Sequence, residues 1–373
     1  MKRIWFVIAV LLGLQFTYLP AQAADATVIR LVTEPNRNFS GYFYNDDLAT
    51  RLAPSGDLGN LVFYPVNRPR TWVVDTAFIE DVRAMTDKYT IGLESGEKVK
   101  GTGSEVAKNW FNQFSIVTSN DRVVVLPYGN PAFKLMKNYA PGELNYYYSY
   151  ANKRLAELLG RPVISDKYGK YSVGTLKSYQ SLQREYSDNR RLLTSLSRVV
   201  DAPELITLRL QLARLLNPDI DKDFRTRLFK SSEKEVARTA RKLRVVSGRY
   251  RLTSAADKLP ITLVNNFSTP VIVSLELLPR NSRIQVAGIE KISIAANSKL
   301  QLTLPANVLT PGTVTVAARL TDAKNVPVTK YSQLTLNLSI VDSRVAWFTS
   351  GAAVLLFLAA TAQTIRRVRR GRK

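Results

Sequence analysis

Between Arg249 and Val341 apolar residues recur at every second position, and that period specifies β-strands. Val271, Val273, Leu275 and Leu277 share one strand face, and Leu300, Leu302 and Leu304 share another. Val314, Val316, Ala318 and Leu320 form a third, and Leu334, Leu336, Leu338 and Ile340 a fourth. The segments "NNFSTP", "PRNS", "AANS", "TPG" and "DAKN" supply turns between them. Each strand has one apolar face to cover, so the spacing predicts an antiparallel β-sandwich of immunoglobulin-like type over 244–342.

Upstream the period changes. "ATVIRLV", "TWVVD", "RVVVLP" and "RPVIS" read as strands, and helical segments alternate with them. "TAFIEDVRAM" sets Phe78, Ile79 and Val82 on one face, and "SEVAKNWFNQFSIV" starts at a Ser104 cap. "GELNYYYSYANKRLAELLG" closes at Gly160. This alternation predicts a parallel sheet in a partial β/α domain over 24–171. The stretch 172–243 reads as helical. There Asp201 and Glu204 fit a cap and capping box, and Leu205, Leu208, Leu212 and Leu215 form an apolar stripe.

Both ends are apolar with basic flanks. Residues 1–23 have the layout of a secretory signal peptide: Lys2 and Arg3, an apolar run, then Ala21-Gln22-Ala23. Residues 345–365 carry no charge and match the roughly 20 residues that cross a bilayer. Trp347 sits near one end of that run, and Arg366, Arg367, Arg369, Arg370, Arg372 and Lys373 follow it as a basic tail over 366–373. The expectation is a single-pass protein of the cell membrane. Its ectodomain lies outside, its C-terminus is cytoplasmic, and the C-terminal helix contacts lipid. A net charge of +23 would otherwise suggest nucleic acid, but that topology excludes a nucleic-acid partner.

The chain contains neither histidine nor cysteine. Ser-His-Asp, Cys-His and histidine-bound metal mechanisms are thereby excluded, and no metal or other cofactor is expected. Parallel strands place their chemistry at carboxyl ends. Asp75 and Asp166 occupy two such ends and could form the carboxylate pair of a glycosidase. Acids at these places also cap helices and start turns. Tyr128, Asn130 and Tyr168 are the residues there that could hold a ligand, and the tyrosines of "YYYSY" could stack on sugar. Arg238, Arg241, Lys242, Arg244, Arg249 and Arg251 form a basic cluster able to bind an anionic polymer.

The succession "TWVVDTAFIEDV", "AKNWF", "VVVLPYGNP", "DKYGKYSVGTL" and "YRLTSAADKLPITLVNNFSTPV", followed by the arginine-tailed apolar run, resembles an actinobacterial envelope family of unknown function, DUF6049. The resemblance implies that the N-terminal part is a degenerate polysaccharide-deacetylase or glycosidase β/α barrel. It also implies a gene beside an MviN-type lipid II flippase. Relatives carry an acid where this chain has Asn130, and they are longer. Between Ala24 and about Lys170 there is room for only half of an eight-stranded barrel. A metal-dependent deacetylase is excluded by the missing histidines.

The resulting expectation is an α+β multidomain chain. It has an N-terminal partial β/α, barrel-like layer, a helical middle section, a C-terminal immunoglobulin-like β-sandwich and one transmembrane helix. The function expected is non-enzymatic: an envelope scaffold or accessory factor in wall-precursor export or assembly, with a flippase or wall polymer as partner. The alternative is a degenerate glycosidase-like enzyme using the strand-end carboxylates.

Overall fold

Valine-rich strands buried on both faces build the first sheet. The computed structural model describes residues 26–93, 95–172, 174, 176, 180–339 and 343–370. These divide into two units. The first takes the described residues up to Asn36, then 45–127 and 148–172; the second takes 37–44, 128–147 and the described residues from 174 onward.

In the first unit, β1 (Thr27–Leu31), α1 (Asp47–Leu52), α2 (Asp57–Phe63), β2 (Arg70–Val74) and α3 (Thr76–Met85) come first. A hairpin of β3 (Thr90–Gly92) and β4 (Lys98–Lys100) follows, then α4 (Ser104–Val117) and β5 (Arg122–Val125). Next along the chain, α5 (Phe133–Tyr139) belongs to the second unit and α6 (Pro141–Leu159) is divided between the two, after which the strand β6 (Ile164–Ser165) completes a four-stranded sheet of the first unit in the order β1-β2-β5-β6. All three of its ladders are parallel. Val73, Val74 and Val123 to Val125 are buried, as expected of parallel strands covered on both faces.

Aromatic rings fill the space over this sheet. Trp110 stacks on Phe114 at 5.2 Å between centroids, and Trp72 meets Phe114 edge-on at 6.0 Å. Their indole N–H groups donate to Leu58 O at 2.9 Å and Asp121 Oδ2 at 2.8 Å, so neither buried ring leaves a polar atom unpaired. The cap of α4 departs from the sequence reading. Gly103 is its N-cap, while Ser104 is already helical and donates to Asp87 O at 2.8 Å. A Cβ at position 103 would lie 2.4 Å from that of Ala49, so only glycine fits there.

In the second unit, α7 (Gln180–Leu196), α8 (Pro203–Arg214) and α9 (Lys222–Ala240) form the helical section. The stripe Leu205, Leu208, Leu212 and Leu215 is at most 5% exposed. Each such side chain contributes about 1.5–3 kcal/mol by burial. The capping box read at Asp201 and Glu204 is absent. Ala202 is the N-cap, and Pro203 removes one orphan N–H at the first helical position. Glu204 instead pairs with Lys242 at 2.7 Å.

Among the described residues nine further strands follow: β7 (Leu243–Val245), β8 (Gly248–Leu252), β9 (Ala256–Asn265), β10 (Val271–Pro279), β11 (Ile284–Val286), β12 (Ile289–Ile294), β13 (Ser298–Val308), β14 (Gly312–Thr321) and β15 (Ser332–Leu338). They make two curled, half-barrel sheets ordered β12-β10-β14-β15-β8 and β11-β13-β9-β7. Every ladder is antiparallel except β15 with β8. Burial alternates along β14 and β15 at period two, placing Val314, Val316, Ala318, Leu334, Leu336 and Leu338 inside. The architecture is an α+β multidomain fold.

The expected membrane span is corrected by the structure. Residues 345–365 fall on α10 (Ser343–Arg370). Among the described residues no helix is long and apolar enough to cross a membrane. The transmembrane helix, single-pass topology, lipid partner and cell-membrane localisation are withdrawn with it. So is the extracytoplasmic scaffold serving a wall-precursor flippase or wall polymer. The exclusion of nucleic acid rested on the same topology and falls too. Arg366 is exposed. The side chains of Trp347, Arg367, Arg369 and Arg370, all of Arg372 and Lys373, and the signal peptide read over 1–23 lie outside the described residues.

Candidate functional site

Parallel register brings two carboxylates to one edge of the four-stranded sheet. Asp75 follows β2 and Asp166 follows β6, with β5 between them. The Leu126 N–H donates to Val74 O, and the Asp166 N–H donates to Val125 O, each at 3.0 Å. Two strand spacings separate the two backbones by about 10 Å. Strand order alone therefore does not decide between a catalytic pair and two structural acids.

The hydrogen bonds show how each side chain is engaged. Asp75 is 2% exposed and caps α3, accepting from Ala77 N at 3.0 Å. Asp166 is 5% exposed and closes the loop behind it. Its Oδ1 accepts from Lys170 N at 2.8 Å, and its Oδ2 from Tyr171 N at 2.9 Å and Ser172 Oγ at 3.4 Å. That loop lays Tyr171 against the core cluster of Val73, Val124 and Leu126, where Arg30 also donates to Tyr171 O. The Tyr148 hydroxyl donates to Asp166 O at 2.6 Å. Burial, with the Asp166 carboxylate beside it, pushes the Tyr148 phenol well above its ordinary range. Asp166 thus holds its loop through both oxygens, whereas a general acid needs one oxygen available for a proton. Tyr168 in this loop is 90% exposed.

The turn after β5 belongs to the second unit, and it is buried. Asn130 is 1% exposed at φ +47°, a left-handed conformation that asparagine tolerates. Its Nδ2 donates to Asn217 Oδ1 at 3.2 Å and Asp219 Oδ2 at 3.1 Å. Ala132 N donates to Leu216 O at 2.8 Å, and Tyr128 N to Tyr147 O at 3.3 Å. Tyr128 is 4% exposed. Gly129, at φ +76°, lies so close to α8 that a Cβ would come 2.7 Å from Arg214 Cγ. Asn130 and Ala132 fasten this turn to the segment after α8, Tyr128 joins it to α6, and Tyr128 and Asn130 present little to solvent.

The tyrosines of "YYYSY" find separate partners. Tyr146 carries the Arg209 guanidinium 3.9 Å from its ring centre, and Tyr150 donates to Glu80 at 3.3 Å. Tyr147 and Tyr186 pair their buried hydroxyls at 2.9 Å, and burial pushes both phenols well up. Nearby, Glu143 is held by Arg209 through bonds of 2.7 and 2.9 Å, with Arg190 at 3.6 Å. Sequence reading missed this cluster. Its partners lie 47 and 66 positions apart, where no periodicity connects them.

The six basic residues are divided by the structure. Arg238 pairs with Glu235 at 2.6 Å, Lys242 with Glu204, and Arg244 donates to Arg241 O. Arg241, Arg249 and Arg251 are exposed. The last two stand on one face of the edge strand β8, two positions apart. Among the described residues no group of three or more acidic, histidine or cysteine side chains could hold a metal ion.

Comparison with known proteins gives one family and several slight structural likenesses. The family of unknown function DUF6049 matches residues 163–373. No curated protein matches. Among solved structures, WR4, an MSP family member of C. elegans, covers 26% of this chain and 98% of its own, at 8% identity and a TM-score of 0.20. The CARDB domain of PF1109 from Pyrococcus furiosus covers 26% and 94%, at 11% identity and a TM-score of 0.21. The E. coli chaperone DraB covers 26% and 55%, at 14% identity and a TM-score of 0.20. Likenesses this slight carry no argument about what the chain does.

Proposed function

The chain belongs to the family of unknown function DUF6049, whose match spans residues 163–373, and on that footing we propose that it is a non-enzymatic binding protein that holds a polyanionic partner. The observation that carries the reading is the engagement of both strand-end carboxylates with backbone N–H groups. On this reading the parallel layer descends from a polysaccharide-deacetylase or glycosidase-type β/α barrel whose strand-end loops now serve packing. Asn130 stands where that ancestry would place an acid, and it is engaged in a buried turn.

The binding half of the proposal rests on charge. The chain carries 53 lysines and arginines against 30 acids, and Arg241, Arg249 and Arg251 reach solvent. Such a surface attracts anionic chains through the summed field, with affinity that falls as salt screens it. The test is retention of the full chain on immobilised polyphosphate across a salt series. Retention that weakens with salt, and weakens further when all three arginines become serine, is expected. Failure to bind at low salt, or binding indifferent to salt and to the triple substitution, would overturn it.

A further inference from the structure

A cavity of about 580 Å³ opens in the second unit between α7 and the segment joining β14 to β15. Its size falls within the range of small-molecule sites. Three features of its lining point the same way.

The first is charge. Arg190, Arg191, Arg198 and Lys330 line it, against the single acid Asp188. The second is that two of these cations remain uncommitted. Arg198 fastens the far wall, pairing with Asp322 at 3.1 Å and donating to Pro327 O at 3.0 Å. Ser195 adds a bond to Val328 O at 3.3 Å. Arg191 and Lys330 are exposed and form no ion pair with another described residue. The third is a pair of orphaned donors. Asn189 is 9% exposed, and its Nδ2 is buried without a hydrogen-bond partner. Arg190 Nε is in the same condition, while its Nη1 lies 3.6 Å from a Glu143 already held by Arg209. Buried donors are nearly always satisfied, so two open donors on adjacent residues that line one basic cavity mark where a bound acceptor would be held.

We propose that this cavity binds the phosphate group of a small phosphorylated solute. A phosphate offers several acceptor oxygens and a charge near −2, matching two orphaned N–H donors backed by Arg191 and Lys330. The volume exceeds what bare phosphate fills, and Leu192 and Val328 supply an apolar wall for the organic part of an ester. This site is separate from the polyanion surface proposed above, since it uses none of Arg241, Arg249 and Arg251.

The test is calorimetric titration of the full chain with ribose phosphate, inorganic phosphate and ribose. Ribose phosphate is expected to bind saturably, inorganic phosphate more weakly, and ribose not at all. Asn189→Asp replaces a donor with a negative acceptor and should weaken binding at least about tenfold. The Arg191→Ser/Lys330→Ser double variant changes only exposed positions, so its fold is kept, and it should produce a similar loss. Replacing Arg241, Arg249 and Arg251 should leave the affinity unchanged. Absence of saturable binding, equal binding of ribose, preference for inorganic phosphate over the ester, or an affinity unmoved in the double variant would each overturn the assignment.

Discussion

Replacing Asp166 with alanine tests how firmly that side chain holds its loop. The side chain accepts two backbone N–H bonds at 2.8 and 2.9 Å and a longer one from Ser172 at 3.4 Å. Hydrogen bonds to a charged group contribute about 1.5–3 kcal/mol each, and donors that water can reach recover part of that on deletion. Taking the lower figure for the two short bonds gives a loss of about 3 kcal/mol. In a unit of this size the melting midpoint should fall by roughly 6–12 °C. Loss of the loop also uncovers the apolar cluster under Tyr171, so the effect should not be smaller. Trp72 and Trp110 both lie in the first unit's core, and their fluorescence follows its unfolding with heat or urea. Asp166→Asn keeps one acceptor oxygen and should fall between wild type and alanine. A midpoint for Asp166→Ala within about 1 °C of wild type would refute the reasoning, since the bonds described could not then be holding the loop.

Three further outcomes follow from the same contacts. Asn130→Asp would bury a second carboxylate against Asp219, 3.1 Å from the present amide, and should destabilise the second unit. The pair can share a proton, so that penalty should shrink in denaturation curves taken at progressively lower pH. Gly129→Ala imposes a strained φ and a clash with α8 at 2.7 Å and should cost about 2 kcal/mol or more by urea denaturation. Asp46 provides an acid-side signature. Burial alone would raise its pKa, but bonds from the Tyr89 hydroxyl and from Thr102 outweigh that and hold it below the usual carboxylate range. A depressed folded-state pKa contributes stability above the unfolded value of about 4, lost as pH falls through the folded one. Asp46→Asn should therefore flatten the stability curve below about pH 4, as read from chemical denaturation across pH.

Much of the local structure was legible because burial enforces periodicity. The alternation through Val314 to Leu320 and Leu334 to Leu338 has to be a strand with one covered face, and the valine runs at Val73 and Val123 have to be strands covered on both. Helix ends were less legible. Ser104 and Asp201 are good caps by residue type, yet packing against Ala49 selected Gly103, and Pro203 fixed the start of α8 without a side-chain cap. The membrane span was read from an uncharged run and its basic flank, yet among the described residues no helix is long and apolar enough to cross a membrane.

At the candidate site, Asp75 and Asp166 could be named from their place after strands, and so could a helix cap and a turn start as their engagement, but not their partners. Those depend on Ala77 for one and on the path of Lys170 to Ser172 for the other. Asn130 meets partners 87 and 89 positions away, so its burial under the end of α8 left no mark in its own neighbourhood. The orphaned Asn189 and Arg190 donors were equally silent, because only the packed chain shows which N–H groups lack acceptors.

The claim that the strand ends pack rather than catalyse is tested most directly by turnover on acetylated and plain wall-type glycans. Wild type is compared with the Asp75→Asn/Asp166→Asn double variant. The account predicts that both release product only at the rate of the uncatalysed background. Product release by wild type that the folded double variant abolishes would contradict it.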